Sequence, residues 1–281
     1  PAAARAARRA APAAPAPGAA LRLLGYGLGG RAALVVARGA ARPAAADAQR
    51  FRALVARRAA GEPAAYLTGT RAFYGRDFAV DARVLIPRPE TEHLIEASLA
   101  ALAARRAPRI LDVGTGSGCI AVTLAAERSD ARVVASDRWP GPLRVARANA
   151  LRHGVAGRVA LVRGDLTRGL RLDAFDLVAS NPPYVAPSAR PTLSPEVVDH
   201  EPSAALFGDD DGRGPLRRLL DAAASPRGLR PDAHLIVELG HDQGDWLVDA
   251  VARRAPRLVL ADLVRDYGGH RRTAVVRRVA A

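Results

Sequence analysis

Lysine and methionine are absent from this chain, cysteine occurs once, and aromatic residues fill only 4% of its 281 positions. Each shortage excludes something. The lone Cys119 rules out an intramolecular disulfide and any multi-cysteine zinc site, which makes the cytoplasm the expected compartment. No stretch approaches 18 consecutive apolar residues, so no transmembrane helix is expected. There are too few rings for the aromatic-interleaved basic patch that stacks nucleic-acid bases. Every basic side chain other than histidine is arginine: 42 of them against 28 acids give a net charge of +14. That surplus would suit an acidic partner or nucleic acid. Arginine alone beside so much alanine, however, reads as coding bias rather than a designed surface.

Hydrophobic residues make up 49% of the chain, enough for a sizeable core. Residues 1–19 are low-complexity Ala, Arg and Pro without the apolar centre of a signal peptide, and read as a disordered or truncated start. Over 20–72, apolar residues such as Leu21, Leu24, Leu28, Phe51, Leu54 and Val55 recur at helical spacing between Gly and Pro marks. This predicts a small unit of several short helices. A hairpin linker is expected over 73–92. From 93 to 281 helical and strand patterns alternate. Strands are predicted at 109–113, 132–136, 159–162, 175–180 and 233–238, then late ones at 257–261 and 273–277. That alternation predicts an α/β domain with a doubly wound, mostly parallel sheet.

ILDVGTGSGCIAV, residues 110–122, is a strand running through a glycine-rich turn into a helix. Gly114, Gly116 and Gly118 permit positive φ and a close backbone approach to a ligand, with Thr115 and Ser117 between them. The dinucleotide fingerprint would need glycine or alanine where Cys119 stands, so the turn is of another kind. It resembles the S-adenosylmethionine loop of Rossmann-like methyltransferases. Asp112, two residues ahead of the turn, suits a cofactor carrying an ammonium and a sulfonium. Asp137 ends the second strand, where a carboxylate can accept both ribose hydroxyls. Asp165 and Leu166 follow the third strand, where an adenine ring would be flanked. Helix capping is the alternative for Asp137 and Asp165. Three acids at successive strand ends favour a cofactor site.

At the end of the fourth strand stands SNPPYV, residues 180–185. Prolines remove backbone donors and keep the preceding residue out of the helical region, so the turn presents acceptors. It resembles the motif of methyltransferases that modify planar nitrogens. The Asn181 side-chain oxygen and the Pro182 carbonyl would accept both hydrogens of an NH₂ group, with Pro183 and Tyr184 packing beside its flat substituent. An ordinary proline turn is the structural alternative. The HDQGD run at 241–245 reads as a helix start with a capping Asp rather than a metal site, and no metal is expected.

GEPAAYLTG (61–69), IPRPETE (86–92), SNPPYV, EPSAALFG (201–208), HLIVELGHDQG (234–244) and RDYGGHRR (265–272) appear in order. Together they resemble the release-factor glutamine methyltransferases, the HemK/PrmC family. The resemblance implies an N-terminal helical domain that docks the substrate, a hairpin linker, and a Rossmann-like catalytic domain. It implies transfer of methyl from S-adenosylmethionine to the amide nitrogen (N5) of the Gly-Gly-Gln glutamine of class I peptide-chain release factors. Gly114 to Gly118, Asp137, Leu166 and Asn181 would then bind the cofactor, and Asn181 to Tyr184 the substrate glutamine. Arg88 and Glu90 would lie near the cofactor mouth or pair with each other. Methylation of a ribosomal-protein glutamine, or of adenine N6 in nucleic acid, would use the same acceptor chemistry.

Overall fold

The computed structural model describes residues 45–254 and 256–279. The low-complexity start and the helical pattern before residue 45 lie outside the described residues. The described chain divides into two compact units: residues up to Thr70 with Ser194–His200, and Arg71–Leu193 with Glu201 onward.

In the first unit, α1 (Ala45–Ala59) is a 15-residue helix. No glycine or proline interrupts it, and alanine and arginine are strong helix formers. Its buried Leu54 packs on Leu67 of α2 (Ala64–Thr68), with Phe51 alongside. Gly69 ends α2 in the left-handed conformation, at φ 68°. Arg58 pairs with Glu196 at 2.8 Å.

A hairpin follows, β1 (Thr70–Phe73) and β2 (Arg76–Ala79). Tyr74 and Gly75 join them at φ 48° and 70°, the two positive angles of a tight hairpin turn whose twist matches its strands. A 3₁₀ turn at Pro89–Thr91 then leads into α3 (Glu92–Ala101).

The rest alternates: β3 (Arg109–Val113), α4 (Cys119–Glu127), β4 (Arg132–Asp137), α5 (Pro140–Arg152), β5 (Val159–Arg163) and β6 (Leu177–Ser180) come first. After α6 (Gly214–Ala224) come β7 (His234–Glu238), α7 (Gly244–Ala252), β8 (Leu258–Arg265) and β9 (Arg271–Arg278). The seven strands lie in the order β5-β4-β3-β6-β7-β9-β8. The first five are parallel; β9 runs antiparallel to β7 and to β8. The last two strands are eight residues each, longer than their apolar runs predict. The ladder takes in the arginines that flank the apolar runs, such as Arg277 and Arg278, and its register shifts at Leu260/Asp262 and Val264/Arg265.

Strand side chains alternate between two cores. Ile110, Leu177 and Ile236 face a cluster with Leu94, Ile120 and Leu124, from α3 and α4. Leu111, Val178 and Leu235 face a second with Leu216, Leu219, Leu247 and Val251, from α6 and α7. Helices on both faces bury the central strands, as the burial of the last four residues of β3 and of all four of β6 shows. α4 buries seven of its nine residues and is therefore apolar nearly all round. No helix among the described residues is long and apolar enough to cross a membrane.

Candidate active site

Because β3, β4, β5, β6 and β7 are parallel, their C-terminal ends form one edge, where open α/β sheets bind ligands. A cavity of about 400 Å³ opens there. The glycine turn contributes Gly114, Thr115, Gly116 and Ser117 to its wall, and β4 ends in Asp137. Asp165 and Leu166 after β5, and Asn181 and Pro183 after β6, complete the predicted residues on that wall. Gly118, Pro182 and Tyr184 are not part of it.

The turn is held from below. Gly114 and Thr115 donate their N–H groups to the Ser136 carbonyl at 2.9 and 2.8 Å. Asp112 is fully buried, and its Oδ2 accepts from the Thr115 hydroxyl at 2.6 Å and from Ala121 N–H at 3.2 Å. That second bond satisfies a free donor in the first turn of α4. The other oxygen, Oδ1, has no hydrogen-bond partner among the described residues. Burial pushes the carboxyl up to about 7, against the pull of the two hydrogen bonds. Asp112 thus anchors the loop from beneath and does not line the cavity. Asn149 adds a tie of its own: Nδ2 donates to Ser117 O at 2.8 Å and to Ala79 O at 3.0 Å, and Oδ1 accepts Ala79 N–H.

Asp137 caps no helix, since the cap position of α5 is Trp139. Its Oδ2 accepts Gly116 N–H and its Oδ1 accepts Trp139 N–H. Burial raises its pKa against those bonds. A carboxylate has about four lone-pair sites, so acceptors remain for two hydroxyls. Asp165 pairs with Arg218 at 2.9 Å. Leu166 sits at φ 50°, a strained angle for a side chain of its size. A Cβ added at Gly114 or Gly116 would meet nothing within 4 Å, which leaves an open cradle over the strand end.

Around SNPPYV, Asn181 Nδ2 donates to Thr91 Oγ1 at 3.2 Å, and that hydroxyl donates to Glu238 Oε2 at 2.6 Å. The Tyr184 hydroxyl donates to Glu238 Oε1 at 3.1 Å, while Gln243 Nε2 donates to the Tyr184 carbonyl at 2.9 Å. Burial, then the Glu238 charge, raises the phenol of Tyr184 well above its ordinary value; burial likewise raises Glu238. Arg88 pairs with Glu201, not with Glu90. In the HDQGD run the cap position of α7 is Gln243, so the expected capping Asp is absent, and Asp245 pairs with Arg271.

A model described as the methyltransferase small domain matches residues 93–203, and one described as the PrmC N-terminal domain matches residues 2–69. The release factor glutamine methyltransferase of Nitratidesulfovibrio vulgaris is 47% identical, over 83% of this chain and 78% of its own length. That of Salmonella typhimurium is 41% identical over 80% of this chain and 78% of its own. The chain belongs to the release factor glutamine methyltransferase family.

Among solved structures, the hMettl16 catalytic domain, crystallised with a MAT2A 3′UTR hairpin, superposes with a TM-score of 0.60 at 18% identity. It covers 78% of this chain and 81% of that one. A methyltransferase from Pyrococcus furiosus gives 0.54 at 19% identity, over 74% and 92%. Both show the Rossmann-like methyltransferase fold.

Within this family member, Thr91, Glu238 and Asn149 hold the site together although the motifs do not single them out. Thr91 and Glu238 lie inside IPRPETE and HLIVELGHDQG, yet nothing in either segment says that they meet. Asn149 sits in an ordinary helix, and only its complete burial marks it.

Proposed function

We propose that the chain transfers the methyl group of S-adenosylmethionine to the side-chain amide nitrogen (N5) of a glutamine in class I peptide-chain release factors, within their Gly-Gly-Gln loop. The observation that carries this is Asn181 on the wall of the cavity that also holds the glycine turn and Asp137. The cavity volume lies within the range of small-molecule and cofactor sites. Gly114, Thr115, Gly116, Ser117 and Gly118 form the cofactor turn, with Asp137, Asp165, Leu166 and Asn181 around it. When bound, S-adenosylmethionine supplies an electrophilic methyl on its sulfonium.

The chain's task is to present a poor nucleophile. An amide nitrogen delocalises its lone pair, so it must be aimed and its hydrogens must be held. The Asn181 side-chain oxygen and the Pro182 carbonyl accept the two N–H hydrogens, favouring the pyramidal nitrogen of the transition state. Pro183 and Tyr184 confine the flat amide. The proton departs to water after attack, so no strong base is required. Residues 20–72 act as the substrate-docking domain, 73–92 as a linker and 93–281 as the catalytic domain, working in the cytoplasm where release factors are used.

The test is methyl transfer from labelled cofactor to a purified release factor, its Gln→Ala loop variant, ribosomal proteins, RNA and DNA. Label on the release factor alone, lost in the loop variant, is expected. Label on nucleic acid or ribosomal protein instead would overturn the choice of substrate. Asn181→Ala is expected to lower kcat by about 10²-fold with the fold intact.

A further inference from the structure

We propose that Glu238 is a positioning residue for the methyl acceptor: through the Thr91 hydroxyl it dictates which way the Asn181 amide faces. The proposal rests on the function stated above. Its logic is a count of hydrogens. Glu238, at the end of β7 and 1% exposed, offers only acceptor oxygens when ionised. The Thr91 hydroxyl carries one hydrogen, and that hydrogen goes to Glu238 Oε2 at 2.6 Å. What Thr91 Oγ1 turns toward Asn181 is therefore a lone pair. The Asn181 atom 3.2 Å away must be a donor, and it is Nδ2. The side-chain oxygen then sits on the opposite branch of the amide, free to accept a substrate N–H. With the amide reversed, two acceptors would face each other and a part-buried donor would lose its partner.

The same carboxylate acts on the far end of the motif. Its Oε1 accepts the Tyr184 hydroxyl at 3.1 Å, so one buried group fixes both Asn181 and Tyr184 across the two prolines. Both of its hydrogen-bond partners are hydroxyls, and the Arg272 charge favours its ionised form. An ionised acid serves orientation here, because only an obligate acceptor forces the Thr91 hydrogen to point away from Asn181.

Glu238→Gln tests this with almost no change of shape. A glutamine can donate to Thr91, which frees the hydroxyl hydrogen to point at Asn181 and lets the amide turn over. The expected result is a kcat lower by about 10²-fold, with the KM for release factor and the Kd for S-adenosylmethionine held within about threefold. Thr91→Ser keeps the hydroxyl and should retain activity, whereas Thr91→Val should match Glu238→Gln. The double variant should be no slower than either single change, since both cut one relay. A Glu238→Gln enzyme with kcat within about threefold of wild type, or losses that multiply in the double variant, would overturn the proposal. A further readout needs no turnover. The Asn181 Nδ2 protons, followed by NMR, should lose their protection in both Glu238→Gln and Thr91→Val, and unchanged protection overturns the relay. Failure of the wild-type protein to methylate a release factor would sink the functional assignment instead, leaving the NMR result to decide the orientation.

Discussion

Asp137 accepts the backbone N–H of Gly116 at 3.0 Å, joining the end of β4 to the glycine turn that follows β3. From the sequence, this carboxylate is expected to accept ribose hydroxyls, with helix capping as the alternative. In the fold it shapes the turn as well, so a single change should damage both the cradle and its ligand contacts. Asp137→Ala is expected to weaken S-adenosylmethionine binding by about 10- to 100-fold, the worth of one or two hydrogen bonds to a charged group. Calorimetric titration measures it. Amide exchange at Gly116 should quicken in the same variant, and unchanged affinity would remove Asp137 from the cofactor site.

Two glycines of the turn should fail differently when given a methyl group. At Gly116, φ is 55° and an added Cβ meets nothing within 4 Å. At Gly118, φ is 81° and the Cβ would stand 3.0 Å from the Ala146 Cβ and 3.1 Å from its Cα. Gly118→Ala therefore combines left-handed strain with a helix clash and should cost about 2–4 kcal/mol of stability. Gly116→Ala carries the strain alone, about 1–2 kcal/mol, but fills the cradle, so its larger loss should be cofactor affinity. Denaturant unfolding and ligand titration on both variants separate the two. Equal profiles would contradict the assignment of Gly118 to packing.

Much of this was legible because local pattern and chemistry coincide. Short segments rich in apolar residues marked the buried strands β3, β6 and β7, and glycine spacing marked the turn. Asn181 was legible because two prolines leave it few conformations. What escaped is long-range. The Thr91–Glu238 contact spans 147 residues, and nothing near either residue announces it. Asp112 was read as a cofactor group from its position, but the strand's side-chain alternation points it beneath the loop. Arg88 has an acid two residues on and instead meets one 113 residues away. Spacing along the chain shows which groups are available, and topology chooses among them.

That distant acid, Glu201, should matter to the cavity although it does not line it. It is 4% exposed; Oε1 accepts from Arg88 Nη2 at 2.5 Å and Oε2 from Ile86 N–H at 3.1 Å. Pro87 and Arg88, between and beside those anchors, belong to the cavity wall. Glu201→Ala removes the acceptor for a buried backbone donor and strands a guanidinium that is a third exposed. A loss of about 2–4 kcal/mol is expected, below that of a fully buried pair. Glu201→Gln keeps an acceptor for Ile86 and should lose less. Hydrogen exchange at Ile86 should rise in the alanine variant. Protection equal to wild type would show that Glu201 does not hold the segment.

The last prediction concerns pH. Burial lifts the Asp112 carboxyl from 3.8 to about 7, so between those values the folded protein holds a proton that the unfolded chain has released. The contribution of this site to stability is therefore full below about pH 4 and is lost as pH rises through about 7. Asp112→Asn, which does not titrate, should gain on wild type between pH 5 and pH 8, by on the order of 1–3 kcal/mol. Urea midpoints of both proteins at the two pH values give that difference directly, and parallel profiles would refute it. A cationic ligand above the turn favours the ionised form, so cofactor binding at pH 7 should release a proton from Asp112. Titrations in buffers of different ionisation enthalpy detect that release, and it should vanish in Asp112→Asn. The acid beneath the loop then couples cofactor charge to loop stability: the state that weakens the empty fold is the one the cofactor prefers.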